Sequence, residues 1–359
     1  MKIVKILIVV LASLMLVSCG TSVTDGDDEI VKIENETVLN YPLFDGEKVI
    51  EKATVTIKNG IITSVSHAEN VDSDYFLMPG LIDAHTHINV DSQIEAMLKN
   101  GVTSSCDVAA SASLIERSGY FTIISSAGMT MGTLNGRSYV NKAIESGAEY
   151  IKVLLMEPNL MLKTALKDIC NTAHENGIKV AVHAVSVKAV KMAVSCGADI
   201  LIHVPMKDEF PKELAETIKE KGIAVAPTLV MMEAFSKSGR NGYKPEHYQN
   251  AENAVKLLHE CGVEILVATD ANDGSYAPLV EHGKSMHREM QLLAKAGLSP
   301  CEILAGATSK VSKVFDIDDL GSISEGKRAV LLLVEGRPDK DITDTSKIKQ
   351  IWIDGEPIL

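Results

Sequence analysis

The sequence predicts an α/β fold: a (β/α)8 TIM-type barrel with a small composite β-sandwich domain. Three observations carry this. Between Gly80 and Phe315, short apolar runs alternate with helical patterns through about eight strand–helix units, and a barrel of this kind needs roughly 250 residues. Several helical patterns close on a glycine near the C-cap. Two β-rich stretches flank this middle, and neither holds enough residues for a core of its own, so they are expected to meet in space as one domain. A doubly wound sheet is the structural alternative. It would usually carry a glycine-rich phosphate loop after its first strand, whereas here the first strand ends in histidines.

The elements follow in order. Residues 1–18 read as a secretory leader: Lys2 and Lys5 precede the apolar stretch 6–17, which is too short to span a bilayer. The stretch ends Leu16-Val17-Ser18-Cys19-Gly20, which resembles a bacterial lipobox with Cys19 as the lipidated residue. Residues 19–29, with Asp25, Asp27, Asp28 and Glu29, read as a solvated tether. The sandwich is assigned to 30–78 plus 319–359 and the barrel to 79–318. In the first flank, Asn59-Gly60 between two alternating runs signals a hairpin, and Asp354-Gly355 marks a turn in the second. The barrel strands are expected at 81–84, 102–108, 121–124, 150–155, 180–182, 200–202, 224–226 and 265–268. Helices are expected at 93–99, 139–146, 162–176, 187–195, 211–221, 250–260 and 282–295.

Functional residues of such barrels sit at the C-terminal ends of strands. The first run ends Asp83-Ala84-His85-Thr86-His87, the fifth at His183, the sixth at His203 and the eighth at Asp270, while the fourth contains Lys152. His85 and His87 are two apart, so on a strand both point to one face. Imidazoles with a carboxylate suit Zn²⁺ and similar ions, and a catalytic site keeps a position for water. A single histidine at a strand end is more often a satisfied core residue. A charged lysine inside a closed barrel is costly unless paired, and Asp270 alone could be a turn residue, with Asp273 as its rival. It is the five strand ends taken together that point to metal.

Composition narrows the function classes. Apolar residues make up 46% of the 359, enough for a sizeable core, and 23% charged residues without a long low-complexity tract exclude wholesale disorder. With 48 acidic against 35 basic residues, the acidic balance argues against nucleic acid, which wants a basic face. Apart from Cys19, the cysteines are Cys106, Cys170, Cys196, Cys261 and Cys301, an odd number at wide spacings, which is no disulfide framework.

The runs Pro79-Gly80-Leu81-Ile82-Asp83-Ala84-His85-Thr86-His87 and Gly147-Ala148-Glu149-Tyr150-Ile151-Lys152 carry a family likeness. So do His183, His203, Pro227-Thr228-Leu229, Ala268-Thr269-Asp270-Ala271 and the closing 320–327. The chain resembles the amidohydrolase superfamily, in the branch related to imidazolonepropionase and Xaa-Pro dipeptidases, over nearly the whole mature length. The resemblance implies two divalent ions, zinc first and manganese, iron or cobalt otherwise. His85, His87 and Asp270 would hold one, His183 and His203 the other, and Lys152, carboxylated by CO2 to a carbamate, would bridge them. Asp270 would also be the general base, and His287, Arg288, Glu289 and Met290 are read as structural. The implied reaction is cleavage of a C–N bond in a small amide, dipeptide or cyclic amide by metal-activated hydroxide. Val330 departs from the family's aspartate after Gly326-Lys327-Arg328-Ala329.

Arg137, Tyr139, Tyr276 and His282 fall in or beside expected βα loops and are the substrate-facing candidates, with Asn89, Glu157, Met231 and Tyr243 behind them. Arg137 could clamp a carboxylate. Rival readings are a one-metal deaminase or a lactonase of the same superfamily and, from another class, a non-catalytic ligand-binding lipoprotein. Localisation is expected at the cell envelope, with membrane contact through the lipid alone; a homo-oligomer is left open.

Overall fold

The computed structural model describes residues 36–69, 71–133, 135–157 and 161–358. The expected leader, Cys19 and the tether lie outside the described residues. No described helix is long and apolar enough to cross a membrane.

The described residues begin with β1 (Glu36–Phe44), β2 (Val49–Lys58), β3 (Ile61–His67) and β4 (Tyr75–Pro79). They end with β13 (Leu331–Glu335), β14 (Ile348–Ile353) and β15 (Glu356–Pro357). All seven join one sheet in the order β15-β14-β13-β4-β1-β2-β3. The antiparallel register Leu331↔Pro79 to Glu335↔Tyr75 stitches the two β-rich flanks together. In β2, Ala53, Val55 and Ile57 are buried while their neighbours are not, the period of two that a one-sided sheet demands. They pack with Leu43, Ile62, Leu331 and Trp352 in a core cluster separate from the main one. The Asn59-Gly60 turn has φ of 49° and 81° and joins the pair Lys58↔Ile61, the left-handed turn that matches strand twist.

Between the flanks, strands and helices alternate. The run is β5 (Leu81–Thr86), α1 (Asp91–Lys99), β6 (Val102–Asp107), α2 (Ala112–Arg117), β7 (Thr122–Ser125), β8 (Met129–Thr130), α3 (Gly136–Glu145), β9 (Ile151–Leu155) and α4 (Lys163–Glu175). It continues with β10 (Val180–Ala184), α5 (Val187–Cys196), β11 (Ile200–Ile202), α6 (Lys212–Glu220), β12 (Ala224–Ala226), α7 (Leu229–Ser238) and α8 (Tyr248–Glu260), and closes with α9 (Lys284–Lys295), α10 (Pro300–Gly306) and α11 (Ser309–Val314). Parallel strands form two sheets, β5-β6-β7 and β12-β11-β10-β9-β8. β5 and β6 are buried at every position, as strands covered on both faces must be.

The eighth expected strand, 265–268, is not a regular one. It bridges β12 at Val225↔Ile265, and the carbonyl of Val267 accepts from Ala84 N. The ladder to β5 is interrupted because Ile82 N donates to Ala307 O and Val267 N to Gly306 O, so the end of α10 takes bonds a strand would have used. β8, α2, α7, α10 and α11 were not expected. The five described cysteines are all free.

Candidate metal centre

The six expected ligands come from five elements and meet at one cavity. His85 is near the end of β5 and His87 one residue beyond it. Lys152 is in β9, opposite Ala181 of β10; His183, two residues on, lies on the same face. His203 follows β11, and Asp270 follows the 265–268 segment. His85, Lys152, His203 and Asp270 are 2–7% exposed. His87 Nε2 lies 3.1 Å and His85 Nε2 3.5 Å from Asp270 Oδ1, with His203 Nε2 3.9 Å from Asp270 Oδ2. Lys152 Nζ is 3.3 Å from His85 Nε2, and the rings of His183 and His203 are 4.5 Å apart.

Backbone strain marks the same place. His203, Thr228 and Asp270 have φ of 72°, 51° and 58°, a region unfavourable for residues with a Cβ; the first two sit just past β11 and β12 and Asp270 just past the 265–268 segment. The surrounding hydrogen bonds hold them there. Asp83, fully buried, accepts from His85 N and Thr269 N through Oδ1 and from Thr269 Oγ1 at 2.6 Å through Oδ2. Asp270 N in turn donates to His85 O at 2.9 Å. Asp107 accepts from Ile88 N at 2.6 Å and fixes the chain just after His87. His203 Nδ1 lies 2.6 Å from Thr228 Oγ1; with Nδ1–H donated there, Nε2 keeps its lone pair for the cavity. Glu289 on α9, fully buried, accepts from Leu229 N and Val230 N at 2.9 and 2.7 Å and so pins the backbone that carries Thr228.

Electrostatics favour electron-pair donors. Burial, with Lys152 close by, holds His85 well below the usual imidazole range, and burial pushes His183 down to about 3. His203 is likewise held well below it, by burial first and then His183. Burial pulls the Lys152 ammonium down to about 7, with Asp270 opposing. Burial pushes the Asp83 carboxyl up to about 7 and that of Glu289 up to about 8, while the hydrogen bonds each accepts pull the other way. His183 Nε2 is buried with no hydrogen-bond partner among the described residues. Such an orphan costs about 1–3 kcal/mol unless a ligand uses it. Ligand atoms of His85, His203 and Asp270 all lie within 4.8 Å of one another. Neutral imidazoles, a carboxylate and an orphaned nitrogen around one cavity form a donor set that fits divalent metal.

The cavity is about 370 Å³, the size of a small-molecule pocket. Of the expected substrate residues, Tyr276 lines it with its ring 5.2 Å from that of His87, and Tyr243 also lines it. His282 and Tyr139 stand behind the ligands: His282 Nε2 donates to His87 O at 3.0 Å and Tyr139 Oη to Lys152 O at 3.2 Å. Arg137 does not line the cavity, and its guanidinium is paired with Glu175 at 2.9 Å on the surface. Met231 is buried without lining it, and Asn89 is exposed, donating to Asp273. Asp273 is exposed and accepts from Ser275 N, a turn role. In the sequence Thr228 stands out only within the Pro227-Thr228-Leu229 likeness, with no role attached, and Glu289 only as a structural residue; the need of a buried carboxylate for partners is the signal that points to Glu289.

Residues 76–358 match the model described as the amidohydrolase family. Uncharacterised proteins of Mycobacterium tuberculosis and Mycobacterium bovis are 27% identical over 150 residues, 40% of this chain and 38% of each relative's length. Among solved structures, a Xaa-Pro dipeptidase with bound methionine in the active site is similar over 90% of this chain and 100% of its own, at 20% identity and a TM-score of 0.76. A prolidase complexed with N-methylphosphonate-L-proline gives 22%, 0.75, 90% and 99%, and an A. niger ochratoxinase 22%, 0.74, 90% and 95%. At these identities the likeness is one of fold. The non-catalytic ligand-binding lipoprotein gains no support from these comparisons.

Proposed function

The chain belongs to the amidohydrolase family, and from that premise we propose that it is a hydrolase of carbon–nitrogen bonds that cleaves a small amide, dipeptide or cyclic amide at a binuclear metal centre. The observation that carries the reading is the buried, partnerless His183 Nε2 beside neutral His85 and His203 and the Asp270 carboxylate. His85, His87 and Asp270 would hold one ion and His183 and His203 the other. When bound, the ions would polarise the scissile carbonyl and acidify a water. Zinc fits the donor set, with manganese, iron or cobalt as the other choices.

Lys152 is suited to carboxylation because burial frees its amine of the proton near neutral pH, and only the free amine adds CO2. The product would be an anion, which resolves the cost of a buried ammonium. Asp270 would take a proton from the attacking water at its carboxylate and deliver it to the leaving nitrogen. The water oxygen ends on the acyl carbon, and the C–N bond breaks. Thr228 fixes the tautomer and tilt of His203, and Glu289 fixes Thr228.

In this reading the two parallel sheets and the 265–268 segment together make the (β/α)8 barrel of 79–318, and the seven-stranded sheet is the composite domain of 30–78 plus 319–359. Export and lipid anchoring at Cys19 are proposed on the leader sequence alone. Hydrolysis of an amide panel by protein reconstituted with zinc or manganese and bicarbonate tests the function. Release of amine that a chelator abolishes is expected, and no release from any amide would refute it.

A further inference from the structure

The wall of the cavity carries a narrower reading of its substrate, resting on the hydrolase assignment above. Leu154, Met156, Met206, Met232, Phe235 and Tyr243 line it beside the ligand set. Among the described lining residues Lys152 is the one lysine or arginine and Asp270 the one carboxylate, and both belong to the proposed centre. Two further cations, Lys207 and Arg137, do not line it. Lys207 Nζ donates to Asn241 O at 2.9 Å and sits 4.8 Å over the Tyr243 ring, and Arg137 is paired with Glu175. Residues 134 and 158–160, which lie outside the description, are leucine, proline, asparagine and leucine, so they add no charge.

A carboxylate entering this wall would lose its hydration and find no guanidinium fork, the usual device for recognising one. An ammonium would find no acid among the described lining residues except Asp270 of the proposed centre. Methionine side chains, flexible and polarisable, fill around varied apolar shapes instead.

We propose that the substrate is neutral away from its scissile bond: an apolar amide, anilide or cyclic amide with neither a free carboxylate nor a free ammonium group. Free dipeptides, which carry both, are then excluded from the substrates.

Matched pairs with one scissile bond test this on the metal-loaded protein: N-benzoylpyrrolidine against N-benzoylproline, and acetanilide against 4-acetamidobenzoate. The neutral member is expected to have a kcat/KM at least about 100-fold higher. Phe235→Arg, which places a fork in the half-buried wall, should raise kcat/KM for the acid members about 10-fold or more. Acid members turned over as well as or better than neutral ones by the unaltered protein would overturn the inference and leave the hydrolase standing. If no pair turned over, titration calorimetry of the same compounds decides. Neutral members bound at least about 100-fold tighter would sink the hydrolase and keep the ligand class. Equal or absent binding of both members would overturn the two together.

Discussion

Asp270 is held in a left-handed backbone, with φ of 58°, by bonds that also fix His85. That strain persists because Asp83 bonds both neighbouring strand ends. Asp270→Asn keeps the shape and removes the base, so turnover should fall about 10³-fold or more while the melting temperature stays near that of the unaltered protein. Full activity in that variant would break the base assignment. Lys152→Met conserves length and apolar burial without an amine. It should lower the bound metal and erase any stimulation by bicarbonate, read by elemental analysis and by rate. These positions were legible because each ends or interrupts an apolar run, where a polar residue has to be explained. Arg137 is a candidate only by its place near a loop; sequence does not say which way a side chain turns, and Glu175 across the α3–α4 surface claims it.

Between elements, the N-terminus of α7 presents unsatisfied N–H groups, and Glu289 of α9 takes two of them. Glu289→Gln leaves one of these N–H groups facing an amide –NH2. The protein should lose about 1–3 kcal/mol of stability, and metal affinity should fall about 10-fold or more through Thr228 and His203. Thermal melts and a competitive metal titration read the two effects; unchanged metal affinity would confine Glu289 to a structural role. α9 also carries His287, whose Nε2 donates to Asn100 O and whose Nδ1 lies 3.0 Å from Thr345 Oγ1. Burial pulls His287 from 6.5 down to about 4. The folded protein therefore binds fewer protons than the unfolded chain across that window. The stability linked to His287 is complete above pH 6.5 and is lost as pH falls through 4, up to about 3 kcal/mol. His287→Gln should flatten that part of the acid unfolding curve. Seven of the eight expected barrel strands were legible from apolar runs bounded by turn signals. The eighth was only half so, since Val267 N donates to Gly306 O and Ile82 N of β5 to Ala307 O, a long-range competition that no local pattern encodes. α7 went unread because Leu229-Val230-Met231-Met232 is apolar on every side and gives no helical stripe.

For the whole molecule, one sheet gathers the two β-rich flanks, and the parallel strands converge their loops on one cavity. That convergence was legible because both flanks were too small to bury a core alone, whereas the chemistry of the cavity wall was not, since it is assembled from residues as distant in sequence as Leu154 and Phe235. At the N-terminus, Cys19→Ala should abolish palmitate labelling and release the protein from the membrane fraction of a bacterial host. Retained labelling would rule out that anchor. The central claim is a two-metal hydrolase, and metal content per chain tests it most directly, measured by elemental analysis on protein expressed from Thr21 onward. The account predicts close to two divalent ions per chain with an additional CO2-derived mass on Lys152. No bound metal after reconstitution with zinc or manganese and bicarbonate would contradict it.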